Sequence, residues 1–445
     1  MKVVVGNWHK TTHFGYKWNS VELGFWDFLW FIVYMGNFDD NQWREIFTNL
    51  DQNGATFGLP ARRRDSVVLS SFNIRKFGRL MKGSRKKRSQ GAWDLLIKYC
   101  ERCDFVAIQE VLDDLSSLQH LKQELGSKYS LMLSDAAGAV PGRRGSRERL
   151  AFLYRNDRIQ HIELASDISF ERTAILNTLF KNRELFVQSF KDREEELKQW
   201  EEKCQVAAAA GKRKPASPEF VLPEFLQFIR SPHFASFEVK GRAGAEPYRF
   251  LAANAHLLYG NKSKQREERW MEFKALLDWL LSRARELDRV YQPNIFLFGD
   301  LNLDLKKVDI RRKAVEEFFK SVNRRGSAGK AKINMPFLDR HPDHSEEVFR
   351  TNARRDQTYD HIGIIARDKR LPPPHQNDEA GQNGPDQFDF GMFDFVQLFL
   401  DSVPEATKSN GKPDYSLFEY DVSDHMPIWI RLQKPVVDQH AFRWR

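Results

Sequence analysis

From Ser66 onward the chain alternates between two textures. Short apolar runs of strand length (VVLSSFNI, DFVAIQEV, YSLMLS, LAFLYR, FASFEV, YRFLAANAHL, NIFLFGD and MPIWIRL) are separated by longer charged segments with helical spacing. That alternation points to a layered α/β protein. Several runs stop on polar residues: Asn73 after VVLSSF, Glu110 after FVAIQ, His256 after FLAANA, Asp300 and Asn302 after IFLFG, and Asp424-His425 just before MPIWI. Loops at strand ends carry polar groups on a rigid scaffold, and active sites of layered α/β proteins gather there. So many stops of this kind predict one site.

The residue types suit metal-assisted hydrolysis of a phosphate ester. A hard divalent cation such as Mg2+ takes oxygen ligands, commonly one or two carboxylates completed by water and substrate phosphate. Glu110, with Asp424 or Asp300, offers such ligands, while two histidines beside carboxylates offer a general base and a general acid. There is no GxxxxGK[ST] loop and no HExxH motif, which disfavours nucleotide-driven phosphoryl transfer and a zinc protease.

With 445 residues the length alone allows about three domains. Residues 1–64 form a Trp/Phe-rich extension that ends in the turn-like QNGATFGLPARRRD. Residues 171–226 read as a helical insertion, with a charged helix followed by AAAAGKRKPASP, and 435–445 as a C-terminal tail. A composition with 41% hydrophobic and 29% charged residues excludes a disordered chain. The three cysteines, Cys100, Cys103 and Cys204, exclude a disulfide framework and fit a reducing compartment. The N-terminus lacks a secretory signal pattern, so a cytoplasmic location is expected. The apolar run Phe25–Phe38 falls short of the roughly 20 residues a spanning helix needs, which disfavours a membrane; a protein partner for residues 1–64 is the expectation instead.

Taken together, SFNIRKFG (71–78), FVAIQEV (105–111), RERLAFLYR (147–155), FLAANAHL (250–257), FLFGDLNLD (296–304), TYDHIGI (358–364) and SDHMPI (423–428) resemble the ordered motif set of the endonuclease/exonuclease/phosphatase superfamily, most of all its DNase I-like nucleases. The resemblance implies a four-layer α/β/β/α sandwich over residues 65–434 as one catalytic domain. It implies metal ligation by Glu110, Asn73 and Asp424, and catalysis by His256, His425, Asp300 and Asn302. Glu148 is expected to back His256, and Asp360 to back His425. Arg230 matches the phosphate-contacting arginine. The implied cofactor is Mg2+ or Mn2+, with Ca2+ allowed as a structural ion. The implied activity is metal-dependent nuclease action, with His425 activating water, Asp300 its rival in that role, and His256 protonating the leaving oxygen. A phosphatase or phosphodiesterase acting on lipid or small-molecule phosphate esters is the alternative.

Charge argues separately for nucleic acid, DNA ahead of RNA. Lysine and arginine number 70 against 61 acidic residues, a formal net charge of +9. Eight basic residues and no acidic ones fall between Arg75 and Arg88, and Arg143, Arg144, Arg147 and Arg149 cluster around Glu148. Basic loops rimming a phosphodiesterase site suit backbone tracking, so Arg75 and Arg149 are expected to bind substrate. Two positions depart from the DNase I-like pattern: Leu112 and Ser146 stand where those nucleases carry an arginine and a tyrosine for minor-groove contact. That puts the duplex-binding mode in doubt, though not the hydrolytic site.

Overall fold

The computed structural model describes residues 38–436, except 83–84, 136–147, 168–171, 219–227, 229, 261–262, 286–291, 293, 304–309, 325–331, 339–349, 373–388 and 409. Two six-stranded mixed sheets carry the fold. The first runs β13 (Asp389–Met392), β14 (Ile428–Gln433), β1 (Ser66–Phe77), β4 (Phe105–Val111), β6 (Arg149–Arg155), β5 (Tyr129–Leu133). The second runs β11 (Lys332–Asn334), β12 (Asp360–Ala366), β10 (Ile295–Asp300), β9 (Tyr248–His256), β8 (His233–Val239), β7 (Ile159–Asp167). A two-stranded hairpin, β2 (Met81–Lys82) with β3 (Arg85–Lys86), stands apart from both.

The apolar runs show no polar alternation because both faces of each sheet are covered. Side chains alternate with period two along a strand. Thus Val67 and Leu69 of β1, and Phe296 and Phe298 of β10, enter a core between the sheets with Phe105, Phe237 and Phe250. Val68 and Phe72 face the opposite way, onto α2 (Gln90–Arg102), α3 (Ser116–Leu125) and α8 (Phe395–Ser402). Ile295 and Leu297 meet α6 (Ser263–Arg285) and α7 (Ile310–Arg324) on the far side. The layers are helix, sheet, sheet, helix, the expected α/β/β/α sandwich.

Of residues 1–64, those from 38 onward pack into this framework, and 1–37, with most of the Phe25–Phe38 run, lie outside the described residues. Helix α1 (Asp40–Asn53) starts at Asp39, which caps it in a reciprocal capping box with Gln42. Its stripe Trp43, Ile46, Leu50 is buried against Phe399 of α8 and neighbouring core residues. The following turn is pinned to the first sheet: Trp429 Nε1 donates to Gly58 O at 2.8 Å, and Asp394 N to Phe57 O at 2.8 Å. The insertion holds α4 (Arg172–Lys181) and the 27-residue α5 (Arg183–Ala209), in which Phe186 is buried. Among the described residues no helix is long and apolar enough to cross a membrane.

Register brings the polar strand ends together. β9 and β10 are parallel with His256 opposite Asp300, and β10 and β12 antiparallel with Asp300 opposite Asp360. Cross-strand partners share a face, so three candidate site side chains stand in a row across three strands. Gly299 permits this: a Cβ there would lie 2.0 Å from Ala255 O, so β9 and β10 could not keep this spacing with any larger residue. The sheets are fastened just below by buried polar groups. Gln109 Nε2 donates to Asn254 Oδ1 at 2.7 Å, and Asn254 Nδ2 donates to Ile108 O and Ala151 O, both at 3.1 Å.

Candidate active site

Asp300 is the centre of the site and is 1% exposed. Its Oδ2 accepts from Asn73 Nδ2 at 2.9 Å, across the gap between the sheets. The same oxygen lies 3.5 Å from His256 Nε2 and 3.6 Å from His425 Nε2. Each histidine is backed on its other nitrogen: His256 Nδ1 lies 3.0 Å from Glu148 Oε2, and His425 Nδ1 lies 2.8 Å from Asp360 Oδ2. Two imidazoles thus converge on one buried carboxylate, each with a further carboxylate against its other nitrogen, and the hydrogen bond to Asp360 fixes the tautomer and orientation of His425. Asn302 adopts φ 51°, a left-handed conformation that asparagine tolerates. This lets its N–H donate to Asp300 Oδ1 at 2.9 Å while Nδ2 donates to Leu257 O at 3.1 Å.

The charges set the protonation states. Burial raises the Glu148 pKa, but His256 and Arg230 outweigh it and hold that carboxyl at about 2. Arg230 reaches Glu148 through Nε at 2.5 Å and anchors Leu257 O through Nη1 at 3.1 Å. Burial alone would lower the His425 pKa, yet Asp360 and then Asp300 raise it well above the usual histidine value. Burial, with a smaller push from Glu110, raises Asp424 against the opposing pull of His425 and Arg75.

Glu110 sits where β1 and β4 lose register, between the Asn73–Gln109 and Phe77–Val111 pairs. Its φ is 61°, uncommon for a residue with a side chain, and Lys76 N donates to its Oε2 at 2.8 Å. Asn73 Nδ2 reaches its Oε1 at 3.3 Å. Asn73 Oδ1 and Asp424 Oδ1 are buried and accept no hydrogen bond among the described residues. The idle oxygens of Asn73 and Asp424, with the Glu110 carboxylate that repels Asp424, are a donor set that fits a hard divalent cation. Asp300, Asp360 and His425 also bring one ligand atom each within 4.8 Å of one another, a second arrangement able to hold an ion.

All these groups except Asn73 and Asp360 line a cleft of ≈ 1190 Å3, shared with Arg75, Lys76, Arg230, Arg266 and Arg354. Arg75 Nη1 donates to Asp424 Oδ2 at 2.8 Å. Arg149, the first residue of β6, does not line the cleft. Its Nη1 donates instead to Ser134 O at 3.1 Å and Asp135 Oδ1 at 3.3 Å. The basic run after Asn73 also divides. Arg79 pairs with Asp114 at 3.4 Å, and Arg88 is buried, donating from Nη2 to Arg75 O at 2.5 Å with burial pushing its pKa down to about 10. Arg143, Arg144 and Arg147 lie outside the described residues.

Sequence reasoning missed the hydroxyls that set the loops. Ser423 Oγ donates to Asn73 O at 2.7 Å and accepts from Arg75 N and His425 N, both at 3.2 Å. Thr351 Oγ1 accepts from Tyr359 N and Asp360 N, both at 3.0 Å. Glu272 and Arg269 of α6 hold the turn after His256 by bonding Leu258 N at 2.8 Å and Leu258 O at 3.2 Å. The only available signal was Ser423 and Thr351 lying close to motif residues.

No protein-family model matches the chain. Deoxyribonuclease gamma of Rattus norvegicus is 30% identical over 93 residues, 20% of this chain and 28% of its own length. Deoxyribonuclease-1 of Gallus gallus is 32% identical over 99 residues, 22% of this chain and 33% of its own length. Over these short stretches the chain resembles deoxyribonucleases. The chain spans about a third or less of the length of these DNase I-like relatives. Solved structures similar to it include an endonuclease/exonuclease/phosphatase family protein of Bacteroides thetaiotaomicron (TM-score 0.38, 13% identity, 82% of this chain and 97% of that one). Truncated TDP2 of Caenorhabditis elegans gives TM-score 0.40 at 13% identity over 83% and 97%. The human Nocturnin catalytic domain gives 0.42 at 11% identity over 83% and 94%.

Proposed function

We propose that this protein is a divalent-metal-dependent nuclease that hydrolyses phosphodiester bonds in DNA. The observation that carries the reading is the Asp300 carboxylate shared by His256 and His425, each backed by its own carboxylate, on the wall of a cleft with basic side chains. Glu110, Asn73 and Asp424 would hold Mg2+ or Mn2+, which when bound supplies positive charge to a phosphate oxygen and its developing negative charge.

The rest of the chemistry belongs to the chain. A water oxygen bonds to phosphorus as the bond to the leaving oxygen breaks. The water proton passes to the Asp300–His425 pair. His256, presenting Nε2 to the reacting side and Nδ1 to Glu148, gives its proton to the leaving oxygen. Arg230 steadies the Glu148–His256 pair rather than standing alone as a phosphate ligand, because its guanidinium is committed to Glu148 and Leu257 O. Arg75 lines the cleft with its guanidinium on Asp424, where it would meet a phosphate.

The test is direct. Purified protein with Mg2+ or Mn2+ is incubated with plasmid, single-stranded DNA, RNA and phosphoinositides. Metal-dependent cleavage of DNA, abolished by chelator, is expected. Phosphate release from lipid with every nucleic acid intact would overturn the proposal.

A further inference from the structure

Two tyrosines stand out on the cleft wall because they are exposed. Tyr420 is 63% and Tyr259 54% exposed, whereas most large rings of this chain are buried among the sheets and helices. Tyr420 is also held in place. The Arg75 guanidinium stacks on its ring, 4.2 Å from the centroid. That guanidinium is in turn fixed by Asp424 at 2.8 Å and Glu419 at 3.8 Å. Glu419 is buried and also takes Arg354 Nε at 2.9 Å. A ring pinned from one side by a clamped cation, with most of its surface in solvent, is a preorganised stacking platform. It is joined through Arg75 to Asp424, the neighbour of His425.

We infer that Tyr420 receives an unpaired base flanking the scissile phosphate, so that the DNA the site takes is single-stranded at the point of cleavage. In a duplex the base faces are stacked on one another, and a protein meets phosphates and groove edges. An aromatic face beside the phosphate site gains binding only when a base has left that stack. Arg75 completes the arrangement, with base, phenol ring and guanidinium layered as successive π-faces and the cation strengthening the ring's hold. Tyr259, across the turn that Glu272 and Arg269 fix after His256, offers a second face on the leaving-group side.

This inference rests on the nuclease reading, and its test separates the two. Cleavage of one sequence is measured as single strand and as duplex, with Mg2+, for wild type, Tyr420→Ala and Tyr420→Phe. A single-strand preference is expected in the wild type. Tyr420→Ala should raise the single-strand KM about tenfold with a smaller change in kcat, and Tyr420→Phe should restore it, because stacking needs the ring and not the hydroxyl. Metal-free binding of a strand carrying one 2-aminopurine supplies a second readout. Its fluorescence should be quenched on binding to wild type and Tyr420→Phe, and less so with Tyr420→Ala. Duplex preference in the wild type, or an unchanged single-strand KM and unchanged quenching in Tyr420→Ala, overturns the inference and leaves the nuclease reading standing. Absence of DNA cleavage with phosphate release from lipid overturns both.

Discussion

Replacing Glu148 by Gln keeps the size of the side chain and removes one buried charge that Arg230 and His256 share. Glu148, Arg230 and His256 are 11%, 12% and 3% exposed at their side chains, so solvent screens the charges weakly. A carboxyl whose pKa falls from 4.5 to about 2 on folding contributes on the order of 3 kcal/mol at neutral pH. Because the folded value is depressed, that stability is complete above 4.5 and is lost as the pH falls from there through about 2. Urea unfolding of wild type and Glu148→Gln should therefore differ by roughly 3 kcal/mol near pH 7, by about half of that near pH 3, and converge below about pH 2. The variant should also lose about 10²- to 10³-fold in kcat, since His256 would lack the carboxylate beside its Nδ1. A deficit that stays the same from neutral to acid pH, or one below about 1 kcal/mol with kcat intact, would refute the charge-sharing account.

Other outcomes follow from the same geometry. Asp360→Asn removes the main group that raises the His425 pKa; that contribution is full below 6.5 and lost as pH rises through the folded value, so the variant's stability deficit in urea should be largest in mild acid and shrink in alkali. Gly299→Ala drives a Cβ to 2.0 Å from Ala255 O and should separate β9 from β10, costing about 1–3 kcal/mol or more in chemical denaturation and abolishing cleavage through loss of the His256–Asp300 spacing. Trp43→Ala, which empties a buried site between α1 and α8, should lower stability by about 3–5 kcal/mol in the same assay, with the KM of the remaining folded enzyme unchanged.

The layered fold was legible because its strands are apolar on both faces, and Phe296 to Phe298 shows why: successive residues serve two different cores. The candidate site was legible because its residues terminate those strands, so strand register alone brings His256, Asp300 and Asp360 into line. The placement of the basic residues expected to meet substrate was less so. Arg149 and Arg88 look, as sequence, like members of basic clusters, yet one turns toward Asp135 and burial makes the other a brace for Arg75 O. Local composition does not encode which way a side chain faces. Nor did the pattern reveal that Trp43, Ile46 and Leu50, ahead of the expected domain boundary, fill the same core as Trp93 and Phe399. Their helical spacing lay in a segment set apart on composition. Gln109 and Asn254 interrupt apolar runs in the sequence, and only the packing of sheet on sheet makes them partners of each other.

The shared carboxylate is the heart of the account, and the cleavage rate of Asp300→Asn tests it most directly. The substitution preserves shape but keeps only one of the two oxygens that accept from Asn73 and Asn302, so circular dichroism and an unfolding curve first establish that the variant folds. At saturating Mg2+ and DNA its kcat should fall by about 10³-fold or more, with KM changed little. A variant that folds and cleaves DNA within a few-fold of the wild-type rate would contradict the account.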